Sequence, residues 1–231
     1  MSRIFVTGDT HRGEDWNKIN TKNFPEQKVL TKDDYLIIAG DFGALWFNDK
    51  SDEFFLKEYS KRSFTTLFVD GNHENHDLLD SYPVEMWNGG KVHRVADTII
   101  HLMRGQVYEI DGKAFFTMGG AQSTDVGRRK EGKSWWPREM PSDEEYEEAL
   151  NNLKKHDFKV DYIVTHCCPE EIVGAQDVFF NRRSNKLTCF LDSLINEYHI
   201  EYKAWYFGHY HQDKDIGDIH CVYNQIVELY L

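Results

Sequence analysis

The sequence predicts an α/β fold, and three observations support that prediction. Short apolar runs rich in β-branched and aromatic residues recur along the whole chain, as expected for buried strands. Helical patterns separate some of these runs near both ends, whereas strands follow one another through short turns from about residue 92 to 118. The chain has 231 residues, an ordinary length for one α/β domain, and shows no repeat or Pro-, Gly- or Ser-rich linker. We therefore expect residues 1–231 to form a single domain.

The strand predictions rest on composition and length. Each run is short and apolar, and each is enriched in β-branched or aromatic side chains. In chain order, the predicted strands are Ile4–Val6, Tyr35–Ala39, Thr66–Val69, Ile99–Met103, Gln106–Ile110, Ala114–Met118, Tyr162–Val164, Ala204–Phe207, Ile219–Tyr223 and Gln225–Leu231.

The clearest helical pattern covers Ser142–Lys155, where a serine cap is followed by an acidic first turn and a basic last turn. A second helical pattern covers Leu187–Tyr198, and Asn75–Leu79 is suited to open a short helix. Residues 119–141 show neither pattern and form the longest predicted loop. Long loops in compact domains are often functional.

Composition and charge exclude several classes of function. Hydrophobic residues make up 40% of the chain, which is typical of a globular protein. A formal net charge of -12 argues against binding of long nucleic acid, because such proteins usually carry a basic face. The sequence contains no run of about 18 apolar residues, so it predicts no membrane span. The N-terminal segment has the pattern of a strand and not that of a signal peptide, so we do not expect export. The cysteines form no CxxC pair, so we expect a reduced, cytoplasmic setting.

Polar side chains follow five of the predicted strands directly. Because the carboxyl ends of strands line the ligand crevice of α/β sheets, these side chains can meet at one rim. Each cluster alone has an ordinary explanation, as a turn, a buried core histidine or a residue in the left-handed region. Together they favour a metal site whose candidate ligands are Asp9, His11, Asp41, Asn72, His166, His209 and His211.

The donor types suit a pair of divalent ions. Nitrogen and oxygen donors without a thiolate fit Mn, Fe, Ni, Co or Zn better than Ca or a structural Zn site. We expect two metal ions, with Mn as the first choice and Fe, Zn, Ni or Co as alternatives. A carboxylate such as Asp41 has two oxygens and can bridge them. Paired metals about 3.5–4 Å apart clamp the attacking and leaving oxygens of an in-line displacement.

The sequence resembles the calcineurin-like metallophosphoesterases through five blocks in the family's order, which are Asp9-x-His11, Gly40-Asp41, Gly71-Asn72-His73-Glu74, Thr165-His166 and Gly208-His209-x-His211. The blocks span nearly the whole chain, and their combination is specific. The resemblance implies a four-layer αββα sandwich, in which two mixed β-sheets lie between helices and a dinuclear metal centre lies at the strand ends.

The resemblance also implies a role for each residue of the site. The first metal takes Asp9, His11, Asp41 and His211, and the second takes Asp41, Asn72, His166 and His209. His73 faces the substrate and is the implied catalytic residue. The implied reaction is hydrolysis of a phosphate monoester or diester by in-line attack of a metal-bridging hydroxide, with His73 assisting the leaving group. Glu74 is expected to support the loop and His76 to lie on the surface.

Two departures from the family pattern bear on the substrate. Protein Ser/Thr phosphatases of this superfamily carry an Asp and an Arg shortly after the Gly-Asp block, whereas Phe42–Trp46 contain neither. A phosphoprotein substrate is therefore disfavoured, and the group that orients His73 is left unidentified. The glycine that follows the Asp-x-His block in the family is replaced by Arg12, which either contacts phosphate or is solvated.

The loop 119–141 is the predicted source of further substrate contacts. Arg128 or Arg129 can bind a non-reacting phosphate oxygen. Trp135 or Trp136 can stack on a base or line the pocket. The alternative is that the two Trp residues pack this loop over the core and leave its charges solvated.

Two classes of function are compatible with these observations. The first is a phosphoesterase acting on a small phosphorylated compound, such as a nucleotide, without long nucleic acid or a membrane as partner. The second is a non-catalytic scaffold or protein-binding module, which would be expected to have lost His73 or several ligands, although none is missing. The charged pair Arg182 and Arg183 is interpreted as surface. Monoester or diester preference, the natural metals and the oligomeric state stay open.

Overall fold

The computed structural model describes residues 1–174 and 184–230. In chain order its strands are β1 (Ile4–Thr7), β2 (Tyr35–Ala39), β3 (Thr65–Val69), β4 (Val84–Trp87), β5 (Gly90–Ala96), β6 (Ile99–Leu102), β7 (Gln106–Ile110), β8 (Lys113–Met118), β9 (Tyr162–Thr165), β10 (Ala204–Phe207), β11 (Lys214–Ile216), β12 (Ile219–Cys221) and β13 (Val227–Leu229). The α-helices are α1 (Lys50–Ser60), α2 (His76–Leu79), α3 (Asp143–Lys155), α4 (Glu170–Gly174) and α5 (Lys186–Asn196).

The strands form two mixed sheets. The first sheet has the order β13-β1-β2-β3-β6-β5-β4, and its strands β1, β2, β3 and β6 are parallel. The second has the order β11-β12-β10-β9-β8-β7, and its strands β8, β9, β10 and β12 are parallel. Parallel neighbours end at the same edge of a sheet, so the loops after β1, β2 and β3 lie side by side, as do those after β9 and β10.

The core is divided into three apolar layers. The inner layer lies between the two sheets and includes Val69 of β3 and Val164 of β9. One outer layer packs helices α1 and α2 on the first sheet through residues such as Tyr59. The other packs α3 and α5 on the second sheet through residues such as Leu153. This arrangement is the four-layer αββα sandwich that the resemblance implied.

Side-chain hydrogen bonds from capping residues stabilise the starts of several helices. The Ser142 side chain accepts a hydrogen bond from the Glu145 amide, and the Glu145 side chain accepts one from the Ser142 amide, which forms a capping box at the start of α3. Asn75 caps the short helix α2 by accepting from the Leu78 amide at 3.0 Å. Helix α5 covers Lys186–Asn196 and ends two residues before the predicted Tyr198.

The predicted strands are all present, although several differ by a residue or two at their ends. The last one is shorter than expected, because Val227–Leu229 pair with β1 and Leu231 lies outside the described residues. Arg182 and Arg183, interpreted as surface, also lie outside them. Helix α1 was not predicted, because its sequence is mostly polar. Strand β4 was missed because it is an edge strand with exposed side chains, Val84 at 55% and Met86 at 68%.

Among the residues that the structure describes, no helix combines the length and apolar character needed to cross a membrane.

Candidate metal centre

The loops after five parallel strands bring the predicted ligands together. Three overlapping clusters have ligand atoms within 4.8 Å of one another, and they are Asp9–His11–His211, His11–Asp41–His73 and Asp41–His166–His209. Asn72 joins them, because its Oδ1 lies 3.3 Å from Nε2 of His166. All seven predicted ligands and His73 therefore surround one point between the two sheets.

Two glycines allow the loops to approach so closely. A Cβ atom added to Gly40, which has φ +90°, would lie 2.0 Å from Nδ1 of His166. One added to Gly71 would lie 2.1 Å from Oδ1 of Asp41. No real Cβ contact is that short, so larger residues at either position would displace a ligand.

The ligand loops have an unusual backbone. Four of the seven predicted ligands have positive φ angles, with values of 40° at His11, 48° at Asp41, 67° at His209 and 52° at His211. Non-glycine residues in the left-handed region cost free energy, and they cluster at functional sites where the surrounding structure imposes them. All four of these residues have ligand atoms in the clusters described above.

Hydrogen bonds fix which atoms face the site. Nδ1 of His166 lies 2.8 Å from the Ala39 carbonyl oxygen, which makes Nδ1 a donor and turns Nε2 toward the site. That Nε2 faces Oδ1 of Asp41 at 3.3 Å. The Asn72 amide nitrogen donates to Oγ of Ser123 at 3.2 Å, which directs the Asn72 carbonyl oxygen toward the site.

Asp41, His11 and His166 shift one another's pKa values. Burial alone would raise the pKa of this carboxyl, but His166 and His11 hold it well below its usual range. Burial likewise lowers the pKa of His11 and His166, and the proximity of Asp41 outweighs it, raising each pKa to about 9. The buried carboxylates thus draw positive charge into the site.

A buried carboxylate oxygen of Asp9 is a second observation that supports metal binding. Among the described residues, no donor makes a hydrogen bond to Oδ2 of Asp9, although Nε2 of His211 lies 3.0 Å away. An unsatisfied buried oxygen costs free energy that a coordinated cation removes. The residues present therefore fit divalent ions in both geometry and donor chemistry.

His73 is held beside the cluster by groups that sequence reasoning did not identify. Its backbone N–H donates to Oδ1 of Asp41 at 2.7 Å, and the Trp46 ring stacks on its imidazole with centroids 6.3 Å apart. Nη2 of Arg129 lies 3.5 Å from its Nε2. Burial is the main cause that lowers the pKa of His73, and the positive charges of Arg129, His11 and His166 lower it further against the opposing effect of Asp41.

A cavity of about 300 Å³ opens over the ligands and His73. The loop 119–141 supplies the rest of its described wall, through residues 122–125 and Arg129. Of the three arginines proposed for substrate binding, Arg129 alone is part of that wall. Arg128 is exposed, and Arg12 pairs with Asp52 at 3.0 Å beneath the Phe47 and Phe55 rings.

The two tryptophans of this loop have different positions. Trp136 is buried at 3% exposure, donates to Oδ2 of Asp77 at 2.9 Å and contacts the Trp46 ring edge to face. Trp135 is half-buried. The packing of Trp136 agrees with the alternative interpretation of the loop, while Arg129 agrees with the functional one.

Glu74 supports the loop as expected, because its carboxylate accepts from the Phe42 amide at 2.7 Å and the Gly43 amide at 3.2 Å.

The expectation that His76 lies on the surface is wrong, because His76 is 2% exposed. It begins α2 and lines a small cavity beside Arg104 and Asp70. A buried position for a histidine so close to a polar loop has no signal in the local sequence.

Sequence reasoning also missed Asp15, Lys18 and Tyr223. Asp15 stands four residues after His11, and the hydrogen bond between them has an i, i+4 spacing that the sequence does contain. Tyr223 lies far along the chain, and nothing in its neighbourhood in the sequence indicates the site.

Comparisons with known proteins agree with this geometry. A family model described as calcineurin-like phosphoesterase matches residues 2–213. The search of curated proteins found no match.

Several solved structures are distantly similar. A phosphopantetheinyl hydrolase from Mycobacterium tuberculosis is 15% identical with a TM-score of 0.42, over 96% of this chain and 90% of that one. A putative 5'-nucleotidase from Staphylococcus aureus is 14% identical with a TM-score of 0.48, over 96% of this chain but only 48% of that one. A protein of unknown function from Aquifex aeolicus is 19% identical with a TM-score of 0.35, over 87% and 88% of the two chains. Similarities this distant do not identify the substrate of this chain.

Proposed function

The chain belongs to the calcineurin-like phosphoesterase family, and from that premise we propose that it is a metal-dependent phosphoesterase acting on a small phosphorylated substrate. The observation that carries the proposal is the convergence of seven nitrogen and oxygen donors around one point, with a buried oxygen of Asp9 that lacks a hydrogen bond from any described residue. A protein with no need for a cation would gain by replacing these groups with apolar side chains.

Two sets of residues would hold the metal ions. Asp9, His11 and His211 form one set, Asn72, His166 and His209 form the other, and Asp41 lies between them. When bound, two divalent ions supply Lewis-acid stabilisation of phosphoryl oxygens and make water a nucleophile near neutral pH. We propose Mn²⁺ as the first candidate, with Fe, Zn, Ni or Co as alternatives.

The charge of the site favours a phosphate ligand in spite of the acidic chain. Two divalent ions bring about four positive charges, and Asp9 and Asp41 bring two negative ones, which leaves roughly +2. Arg129 also lies at the cavity wall, but its guanidinium pairs with Asp125 at 2.7 Å, so the positive field would come mainly from the ions. A local positive field in a concave site attracts an anion even when the protein's formal net charge is -12.

His73 and Arg129 are proposed to act on the substrate directly. Nε2 of His73 and Nη2 of Arg129 lie 3.5 Å apart at the cavity. A phosphoryl group bound there can accept a hydrogen bond from each of them, and its negative charge favours protonation of His73. His73 then gives its proton to the leaving oxygen, a contribution typically of about 10²–10⁴ in rate. Trp46 packs against the imidazole, and Asp41 holds the backbone of His73 in place for that transfer.

The size of the cavity supports a small substrate. A volume of about 300 Å³ lies at the lower end of ligand pockets, which run from about 300 to 1,000 Å³. Together with the absence of an Asp–Arg pair in Phe42–Trp46, it favours a small phosphate ester over a phosphoprotein.

Hydrolysis of p-nitrophenyl phosphate and of bis-p-nitrophenyl phosphate, each with added Mn²⁺, tests the proposal. We expect turnover of at least one of them, abolished by EDTA and by Asp41→Asn. The ratio of the two rates decides between monoesterase and diesterase. No turnover of either substrate by a Mn²⁺-loaded chain would favour the non-catalytic scaffold.

A further inference from the structure

We propose that Asp15 and Tyr223 are positioning residues that hold His11 and His211 for one of the two metal ions and leave the other ion unaffected. The inference rests on the proposed function, since it assumes that these histidines bind metal. It assigns a role to two residues outside the seven predicted ligands.

The Asp15 carboxylate joins two parts of the site. Its Oδ2 lies 2.6 Å from Nδ1 of His11, and its Oδ1 accepts from the Tyr223 hydroxyl at 2.7 Å. With Nδ1 donating to Asp15, the lone pair of His11 is on Nε2, which faces Oδ2 of Asp41 at 3.3 Å. A carboxylate that accepts from a ligating histidine fixes its tautomer and orientation and makes it a stronger ligand.

Tyr223 extends this support to His211. Its ring stacks on the His211 imidazole with centroids 4.7 Å apart and planes 10° apart. His211 needs such support, because its side chain is 48% exposed and its backbone has a positive φ angle. The His11 and His211 rings meet edge to face at 4.9 Å, so Asp15 and Tyr223 hold both imidazoles in one group.

Lys18 ties the same group to the backbone. Its ammonium, on a side chain that is almost completely buried, donates to the carbonyl oxygens of Gly8 at 3.0 Å, of Asp9, and of Tyr223 at 2.5 Å. It also lies over the Tyr223 ring at 4.9 Å. The loop that carries Asp9 and the segment that carries Tyr223 are therefore held together, which keeps Tyr223 within reach of Asp15.

The other half of the site is supported by different groups. His166 is fixed by the Ala39 carbonyl oxygen, and Asn72 is fixed by Ser123. Neither of these contacts involves Asp15 or Tyr223. The amide of His209 donates to Oδ1 of Asp9 at 2.9 Å and links the two sets of ligands. Asp15 and Tyr223, however, contact ligands of one predicted ion only, which makes the inference site-specific and testable.

Titration of the metal-free chain with Mn²⁺, with free Mn²⁺ measured by electron paramagnetic resonance, provides the test. Wild type is expected to bind two ions. Asp15→Asn should weaken one ion by about 10–100-fold and leave the affinity of the other unchanged. Tyr223→Phe keeps the ring and should weaken the same ion less than Tyr223→Leu, which removes the stacking on His211.

Two control variants make the result specific. Glu14→Gln removes the same charge from an exposed neighbour of Asp15 and should titrate as wild type. Ser123→Ala should weaken the second ion, so that combining it with Asp15→Asn weakens both. Circular dichroism and thermal melting of each metal-free variant show that the comparison is made between folded proteins.

The outcomes separate the inference from the function on which it rests. If wild type binds two ions and Asp15→Asn binds both as tightly, or weakens both equally, the inference fails and the proposed function stands. If wild type binds neither Mn²⁺ nor any of the alternative ions, the proposed function fails and the inference falls with it.

Discussion

The carboxylate of Asp41 lies 3.3 Å from Nε2 of His166, and both side chains are buried. Its other oxygen lies 3.3 Å from Nε2 of His11. Asp41 follows β2 in the first sheet and His166 follows β9 in the second, so this contact joins the two halves of the sandwich. A carboxylate in that position can be shared by two cations.

Asp41→Asn is therefore expected to lose metal and activity together. The amide keeps the size of the side chain but removes the charge that draws cations between His11 and His166. We expect fewer than two Mn²⁺ ions per chain after dialysis, and a fall in kcat/KM of about 10²–10³-fold or more. Metal analysis and phosphatase assays on the same preparation check this, and a variant that keeps both ions and full turnover would contradict the bridging position.

His73→Ala should separate metal binding from catalysis. His73 is not one of the seven predicted ligands, and alanine keeps the backbone N–H that donates to Asp41, so the metal content should not change. Loss of the proton donor should lower turnover by about 10²–10⁴-fold for esters with poor leaving groups, and far less for p-nitrophenyl phosphate. Rates measured over a series of leaving groups check this prediction, and equal rates for wild type and variant across the series would rule out the role of His73.

Arg129→Gln should weaken substrate binding, and Arg128→Gln provides a matched control from the adjacent position. Arg129 lines the cavity with Nη2 near His73, whereas Arg128 is exposed. A hydrogen bond to a charged group contributes about 1.5–3 kcal/mol, which corresponds to a loss in kcat/KM of roughly 10- to 100-fold. Steady-state kinetics of both variants measure this loss. The same loss in both, or in neither, would show that Arg129 does not bind phosphate.

The burial of His76 predicts that the fold is sensitive to acid. Burial, assisted by Arg104 and opposed by Asp70, lowers the pKa of His76 to about 3, whereas the ordinary value in an unfolded chain is about 6.5. Between these two values the unfolded state binds the additional proton, so the free energy of unfolding falls as the pH falls. The slope from this residue is at most about 1.4 kcal/mol per pH unit.

Urea unfolding at pH 7.5, 6 and 5, in the presence of EDTA, measures this dependence. His76→Gln cannot take up the proton and should show a shallower fall in stability below about pH 6.5 than wild type. An identical slope in the two proteins would mean that His76 is already accessible to protons in the folded state.

The convergence of the seven predicted ligands could be predicted because they stand directly after strands. Parallel neighbours such as β1 and β2 end at the same edge, so Asp9 and Asp41 come together as a consequence of topology. The groups that orient these ligands could not be predicted in the same way. Tyr223 stands 208 positions from Asp15 in the sequence, and Arg129 contacts His73 from a loop without a repeating pattern.

The missed elements of the fold have a similar physical cause. Strand β4 pairs with β5 through backbone hydrogen bonds, but its Val84 and Met86 side chains are exposed. Its sequence therefore lacks the apolar pattern that a buried strand would have. Helix α1 buries few of its residues, among them Tyr59 and the charged Asp52. Its Asp52 accepts from the backbone of Trp46 and Asn48, a local contact that a hydrophobic pattern does not reveal.

Anomalous diffraction from crystals of the Mn²⁺-loaded protein tests the central claim most directly. We predict two manganese peaks per chain, about 3.5–4 Å apart, with Asp41 between them, His11 and His211 beside one, and His166 and His209 beside the other. A fully loaded crystal with no paired peaks, or with manganese bound elsewhere on the surface, would contradict the account.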